Sequence, residues 1–282
     1  MIYNINGIEL NNAYDVDGSS LTEAFNINGE QVFPYVLKVM TYNVRWFTDF
    51  NGQKAMQKSI IDTNAAHIIG VQEISQNGTI NATGTEVLAP YTYKQLSNHK
   101  NYMALMSKIQ ITDYSTADFT HQDPYDASQY NETRAYQKCT LNIGGKSIKW
   151  YNAHLCFHDA TIKAQQMMEI KSMTDLDEYC IITGDFNSYA LSTSDTDYVS
   201  MFKPYIDDGY NLANCTAEQG FTKTWTDSAT ATSTAQMSQA TDNIITSANI
   251  DIISVKFDPT KFSYLNGQAI DHIPVIVQLK IN

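Results

Sequence analysis

A chain of 282 residues with 43% hydrophobic content carries enough apolar material for one large α/β domain or two ordinary ones, which excludes a disordered or collagen-like chain. Thirty acidic against 18 basic residues give a formal net charge of −12. That balance argues against tight, sequence-independent binding of nucleic acid through a large basic face, while allowing a transient encounter with a phosphate substrate through a divalent metal.

The first 36 residues contain no Lys or Arg and five acids, Glu9, Asp15, Asp17, Glu23 and Glu30. Within them Tyr3-Asn-Ile-Asn-Gly7, Tyr14-Asp-Val-Asp-Gly18 and Phe25-Asn-Ile-Asn-Gly29 recur with a period of 11. Each unit reads as a short strand closed by a tight turn, because Gly tolerates positive φ and Asn or Asp tolerates the left-handed region. Residues 1–36 are therefore expected to be a β-repeat extension. It could form a small meander, an attachment module for a larger assembly, or a β segment laid against the main domain. Similar short repeats stand at the front of some phage tail-associated proteins. Pro34 marks the boundary to a second domain, residues 37–282.

From Leu37 onward strands and helices alternate. Leu37 to Val44 reads as a strand, Gln53 to Ala66 as a helix with Ala55, Met56, Ile60 and Ile61 towards one side, and Ile68 to Gln72 as a buried strand. Tyr102 to Ser107 is another strand, and Ala135 to Ile143 with Ser147 to Cys156 forms a hairpin turned at Gly144-Gly145. Asp159 to Leu176 is a second helix, with Asp159 or Thr161 as its N-cap. Cys180 to Thr183 is a short apolar strand, followed by mixed segments and by strands at Asn243 to Thr246, near Ile252 to Lys256, and at Ile273 to Ile281. Helices among hairpin-connected strands favour a layered α/β sandwich with mixed sheets over a purely parallel one. Cys139, Cys156, Cys180 and Cys215 show no CxxC or zinc-ligand spacing, so buried free thiols are expected. No apolar run approaches the roughly 18 residues needed to cross a bilayer, and Met1 to Glu9 has neither a basic nor an apolar leader region. No membrane contact or export signal is expected; synthesis in the cytoplasm is, with phage-associated action left open.

Polar residues costly to desolvate repeatedly flank apolar strands. Asn43 follows Val39-Met40, Glu73 follows Ile68-Ile69-Gly70-Val71, His154 follows Trp150-Tyr151, and Asp185 with Asn187 follows Ile181-Ile182. Asp242 opens a strand and Asp271-His272 precedes the last one. Any one alone would be an ordinary surface or capping residue, but together they point to one convergent site, since strand ends of packed sheets bring distant residues together.

Taken in order, Thr-Tyr-Asn43, Gln-Glu73, Asn-Ala-His154-Leu, Gly-Asp185-Phe-Asn187, Asp242-Asn-Ile and Asp271-His272-Ile-Pro-Val resemble the endonuclease/exonuclease/phosphatase superfamily, the deoxyribonuclease I-like fold, over Leu37 to Asn282. The resemblance implies a four-layer α/β sandwich of two mixed β-sheets flanked by helices, with the site at one sheet edge. It also implies divalent-metal-dependent cleavage of phosphate esters. The pattern departs at Ile270, where the superfamily usually has Ser; an apolar side chain there removes a hydroxyl that could orient Asp271.

A hard cation, Mg²⁺ or Mn²⁺ with Ca²⁺ as a further candidate, prefers carboxylate and amide oxygens, and Glu73 with Asn43 and Asp271 offers such a partial shell. Asp185 is the candidate for positioning and deprotonating the attacking water, with Asn187 donating to Asp185, water or phosphate. The resemblance implies that Asp242 hydrogen-bonds the imidazole of His272, which contacts the scissile phosphate. His154 is expected to bind the phosphate or protonate the leaving oxygen, and Arg134 falls where superfamily members carry a phosphate-binding arginine.

The substrate is read mostly by elimination. Asp113 to Thr133 is a polar stretch with Tyr114, Phe119, Tyr125 and Tyr130, whose rings could stack bases or pin the loop to the body. Thr226 to Thr241 is a Ser/Thr/Ala/Gln-rich connection that could form a substrate-side loop. No apolar hairpin or basic amphipathic helix suited to a lipid phosphodiesterase is evident. Arg45, Lys108 and Arg134 alone are too few cations for a polyphosphorylated inositol. A non-specific DNA endonuclease is the expectation. A lipid phosphodiesterase or phosphomonoesterase of the same fold is the first alternative, and a non-catalytic module of a phage-type assembly the second.

Overall fold

The computed structural model describes residues 2–3, 9–10, 35–45, 53–74, 82–97, 102–125, 128, 133–174, 178–215, 220–226, 233, 236–260 and 271–282. In chain order the strands and helices are β1 (Ile2–Tyr3), β2 (Glu9–Leu10), β3 (Tyr35–Asn43), α1 (Gln53–Asn64), β4 (Ile68–Gln72), α2 (Ala82–Val87), β5 (Tyr93–Leu96), β6 (Ala104–Ser107) and β7 (Ile111–Asp118). There follow β8 (Ala135–Ile143), β9 (Lys146–His154), α3 (Ala160–Thr174) and β10 (Cys180–Asp185). A π-helical turn (Tyr198–Phe202) continues into α4 (Lys203–Asp207), and β11 (Asn211–Leu212), β12 (Asp242–Thr246), β13 (Ile250–Phe257) and β14 (Val275–Ile281) complete the chain. No helix among the described residues is long and apolar enough to cross a membrane.

Two six-stranded sheets run in the orders β11-β12-β10-β9-β8-β7 and β13-β14-β3-β4-β6-β5. Side-chain alternation along their central strands decides the layering, because neighbouring residues of a strand point to opposite faces. Val39, Ile68, Trp150, Ile181 and Ile244 meet between the sheets in one core. Their neighbours point outward: Met40 and Ile69 pack with Met56 and Ile60 of α1, while Tyr151 and Ile182 pack with Met167 and Ile170 of α3 and Phe202 and Tyr205 of the π turn and α4. Both faces of each central strand are thus buried, and the result is a helix–sheet–sheet–helix stack of four layers, as expected.

Between the sheets a polar cluster interrupts the hydrocarbon. Gln72 Nε2 donates to Asn152 Oδ1 at 2.7 Å, and Trp150 Nε1 donates to Thr183 Oγ1 at 3.0 Å. Buried polar groups are tolerated because they satisfy one another. Gly70 makes room for them: a Cβ there would run into Thr183 Oγ1 and Asn152 Oδ1. The Gln before Glu73 and the Asn two residues before His154 therefore tie the sheets together beneath the site.

The helix and hairpin signals hold in detail. Asp159 Oδ1 accepts from the backbone N–H of Thr161 (2.7 Å) and Ile162 (3.0 Å), making Asp159 the cap of α3. The β8–β9 hairpin turns through Gly144 and Gly145, at φ 57° and 76°, values at which a Cβ would be strained. In α1, Met56, Ile60 and Ile61 are buried but Ala55 is exposed; the inner face is completed by Gln57, whose Nε2 donates to Val44 O at 2.8 Å. All four cysteines are free, with Cys139, Cys156 and Cys180 buried and Cys215 half-buried.

Besides the two-residue β11, two strands were not expected. Residues 113–118 belong to β7 rather than to a loop, and β5 pairs with β6 at the edge of the other sheet. Both are edge strands whose side chains are mostly exposed or half-exposed, so they lack the apolar alternation that betrays a buried strand. Tyr114 and Phe119 accordingly pin this region to the body: Tyr114 Oη donates to Leu96 O at 2.8 Å, and Phe119 is buried. Tyr130, Ile270 and most of the 11-residue repeats lie outside the described residues. Of the repeats, the backbone of β1 pairs antiparallel with β2, Tyr3 opposite Glu9.

Candidate active site

Two parallel pairs set the site. β3 pairs in parallel with β4, its return made through α1, and β9 with β10, its return made through α3. Parallel neighbours end together, and open α/β sheets present ligands with groups at the carboxyl ends of their strands. Asn43 closes β3, Glu73 follows β4, and His154 and Asp185 are register partners at the ends of β9 and β10. β12 runs antiparallel to β10, so its first residue, Asp242, lies opposite Asp185. Asp271 and His272 precede β14, and His272 bridges to Trp225. Every expected strand-end residue thus reaches one end of the sandwich.

Asp185 is the hub. Its Oδ2 accepts from Asn43 Nδ2 at 3.0 Å and lies 3.6 Å from His154 Nε2 and 3.5 Å from His272 Nε2. Its Oδ1 accepts the backbone N–H of Asn187 at 2.9 Å. The Asn187 side chain instead donates through Nδ2 to Leu155 O at 2.8 Å, so the support it gives Asp185 comes from its main chain. Asn187 (φ 49°), Glu73 (φ 53°) and Arg45 (φ 41°) all adopt left-handed backbone beside the site. Such conformations cost non-glycine residues free energy and persist where surrounding bonds enforce them.

Glu73, Asn43 and Asp271 occupy one side. Asn43 Nδ2 also donates to Glu73 Oε1 at 3.0 Å, while Asn43 Oδ1 accepts the Arg45 N–H at 3.1 Å and keeps a second lone pair. Burial, then the negative charge of Asp271, push Glu73 up to about 7. Arg45 Nη1 donates to Asp271 Oδ2 at 3.0 Å, which supplies the orienting donor that Ile270 cannot. Glu73, Asp185, Asp242 and Asp271 crowd together, and the donors are carboxylate and amide oxygens. This set fits a hard divalent cation, which would relieve the crowding. Asp185, Asp242 and His272 also present ligand atoms within 4.8 Å of one another, but there the His272–Asp242 hydrogen bond already occupies one imidazole nitrogen.

The two imidazoles differ in charge. Burial opposes protonation of His272, but Asp242, whose Oδ2 stands 2.8 Å from Nδ1, together with Asp185 and Asp271 outweighs it and holds His272 up to about 10. Thr241 Oγ1 donates to Asp242 Oδ2 at 2.8 Å and fixes that carboxylate. His154 is pushed down to about 3 by burial and by Arg134, whose Nη1 lies 2.9 Å from Nε2. With Nε2 accepting from Arg134, the neutral imidazole carries its proton on Nδ1.

Arg134 is brought in as expected, and Lys108 is not: it sits at the far end of β6, where its N–H donates to His67 O and its ammonium lies over Tyr91. Lys163 and Asp123 escaped the sequence reading. Lys163 of α3 is fully buried and donates to Asn187 O and to Asp197 Oδ2. Asp123 binds Tyr125 N–H at 2.8 Å and faces His158. Lys163 and its two partners lie 24 and 34 positions apart in sequence, and nothing local marks one for the other.

A family model described as the endonuclease/exonuclease/phosphatase family matches residues 40–260. The chain belongs to this family, whose members are generally hydrolases of phosphoester bonds that use divalent metals. Among solved structures it is similar to an endonuclease/exonuclease/phosphatase from Bacteroides vulgatus, at 17% identity and TM-score 0.66, covering 88% of this chain and 99% of that one. It is also similar to TDP2 from Caenorhabditis elegans in truncated form (16%, 0.62, covering 87% and 98%). The human Nocturnin catalytic domain with bound sulfate is a third (13%, 0.62, covering 88% and 95%). At these identities the likeness is one of fold. No curated protein matches the sequence.

Proposed function

We propose that this protein is a divalent-metal-dependent phosphodiesterase that cleaves nucleic acid, with DNA the expected substrate. The observation that carries the reading is the hold on Asp185, whose Oδ2 accepts from Asn43 Nδ2 at 3.0 Å and stands 3.5 Å from His272 Nε2, while its Oδ1 accepts the Asn187 N–H at 2.9 Å. A carboxylate held in that way can orient an attacking water and take its proton. Glu73, Asp271 and the free lone pair of Asn43 are the groups that would hold the cation. When bound, it supplies Lewis-acid polarisation of the phosphoryl oxygen and neutralises charge in the transition state.

The chain's own residues do the rest. His272 keeps a proton on Nε2 at neutral pH, so it can neutralise a phosphoryl oxygen or hand that proton to the leaving oxygen. His154, pushed down to about 3 by burial and Arg134, is neutral in the free site and orients Arg134 towards the phosphate. Asp242 fixes the His272 ring. The segment of 11-residue repeats serves as an attachment point to a larger assembly, a reading supported by its repetitive composition without Lys or Arg.

The test is nicking of supercoiled plasmid by purified protein with Mg²⁺ or Mn²⁺ and with EDTA, beside bis-p-nitrophenyl phosphate and a choline phospholipid. Nicking abolished by EDTA and strongly reduced in His272→Ala supports the proposal. Cleavage of the small diester or the lipid with the plasmid intact moves the substrate to a non-nucleic ester. No turnover of any of the three favours a non-catalytic module.

A further inference from the structure

We propose that Tyr125 and His158 form a stacking shelf for an unpaired nucleobase next to the scissile phosphate, so that single-stranded nucleic acid is the preferred substrate. This rests on the nuclease reading and narrows it. Tyr125 and His158 are stacked face to face, ring centroids 4.4 Å apart and planes 16° from parallel. Both reach the surface: Tyr125 is 41% exposed and the His158 side chain 55%.

The pair is built rather than incidental. The buried carboxylate of Asp123 holds both partners, accepting the Tyr125 N–H through Oδ1 at 2.8 Å and standing 3.5 Å from His158 Nδ1 through Oδ2. Cys156 Sγ donates to the same Oδ2 at 3.5 Å. A rotamer-rich exposed ring normally loses freedom on binding a ligand; here the arrangement is fixed in advance.

The shelf also touches the site. His158 packs edge-on against Phe157 at 6.1 Å, and the Phe157 ring lies 5.8 Å from the guanidinium of Arg134. Arg134 in turn bonds His154. Tyr189, 44% exposed and two residues past Asn187, donates its hydroxyl to Phe157 O at 2.8 Å and extends the aromatic rim towards Asp185. The rim therefore runs from Tyr189 through Phe157 to His158 and Tyr125, beside the position the phosphate takes.

Charge explains why rings should do this work. The protein carries a net charge of −12, and the site cations Arg45, Arg134 and His272 each already have a partner. Duplex DNA is held chiefly through many phosphate contacts, which a net charge of −12 disfavours. Base stacking needs no cation and accepts any base, but it requires an exposed base face, which a paired and stacked duplex withholds.

The experiment uses full-length protein with Mn²⁺ and three fluorescent oligonucleotides of one sequence: single-stranded, duplex, and single-stranded with abasic sites flanking the cut. The wild type should favour the single strand over both others by roughly tenfold in kcat/KM, the size of one stacking contact. Tyr125→Ser and His158→Ala should each raise KM for the single strand several-fold. They should leave kcat, the abasic substrate and bis-p-nitrophenyl phosphate unchanged, while Tyr125→Phe keeps the wild-type KM. Thermal melting confirms that these surface variants remain folded. A wild type that cuts oligonucleotides while the variants match it on every substrate overturns the shelf and leaves the nuclease reading standing. A wild type that turns over bis-p-nitrophenyl phosphate but no oligonucleotide overturns both.

Discussion

Lys163 offers the sharpest link between a buried interaction and turnover. Its ammonium, fully out of solvent, donates to Asn187 O and to Asp197 Oδ2 (3.2 Å) and lies 4.1 Å from the centre of the Tyr189 ring. Lys163→Met keeps most of the aliphatic packing and deletes the charge. Asp197, itself buried, would keep the Tyr189 N–H at 2.7 Å but lose its counter-ion. Removing one partner of a buried pair costs about 3–5 kcal/mol, and an orphaned carbonyl about 1 kcal/mol more. A loss of about 4–6 kcal/mol is expected, a large share of the 5–15 kcal/mol typical of a folded domain. The catalytic consequence is separate. Asn187, at φ 49°, loses the bond that holds its carbonyl, and its N–H then no longer fixes Asp185; a tenfold or greater fall in kcat is expected, since small misplacements of a catalytic group are costly. The double variant Lys163→Met/Asp197→Asn removes the stranded anion while keeping an acceptor for Tyr189. Urea denaturation should show most of the stability restored, and hydrolysis of bis-p-nitrophenyl phosphate should show kcat still low. A double variant that recovers stability and kcat together, or a single variant with normal kcat, would refute the reasoning.

Three further outcomes follow from the same geometry. Gly70→Ala should cost about 2–4 kcal/mol by urea denaturation, because its methyl displaces the Thr183 and Asn152 side chains and breaks the bonds between the sheets; a loss under about 1 kcal/mol would mean that the sheets separate easily. His272 is raised from 6.5 to about 10, so its stabilising contribution is complete below pH 6.5 and lost as pH rises towards 10, by up to about 1.4 kcal/mol per pH unit. The stability difference between wild type and Asp242→Asn in EDTA should therefore shrink across that window, and a difference independent of pH would contradict the assignment. Burial pushes the Cys139 thiol up to about 12, so native protein at pH 8 should leave Cys139 unlabelled by iodoacetamide while unfolded protein labels fully, as peptide mass spectrometry would show.

Much of this site was legible because strands write it plainly. A buried central strand is an apolar run, and a polar residue that interrupts or ends one, such as Asn43, His154 or Asp185, stands out against it. The order and spacing of six such interruptions carried the fold as well. What escaped did so for physical reasons. β5 and β7 lie at sheet edges and half in water, so their sequences need no alternation. The short α2 and the π turn at Tyr198–Phe202 give too few turns for a 3.6-residue period to show. Ionic and hydrogen-bonded pairs such as the buried Lys163–Asp197 and the partly exposed Arg45–Asp271 are set by tertiary packing across 34 and 226 positions, and nothing local marks one partner for the other. Asn187 shows the limit of residue-type reasoning. Its place beside Asp185 was foreseen, but the donor that reaches the carboxylate is its backbone N–H and not its amide.

The central claim is that Glu73 anchors the cation on which hydrolysis depends. It is tested most directly by calorimetric titration of Mn²⁺ into metal-free wild type and Glu73→Gln at pH 6 and pH 8, with plasmid nicking measured on the same samples. Because burial and Asp271 hold the Glu73 carboxyl near 7, metal must displace a proton at the lower pH, and wild-type affinity should rise by nearly tenfold from pH 6 to pH 8. Glu73→Gln should bind at least tenfold more weakly, lose that pH dependence, keep its fold and cease to nick. Equal Mn²⁺ affinity in the two proteins, or undiminished metal-dependent nicking by Glu73→Gln, would contradict the account.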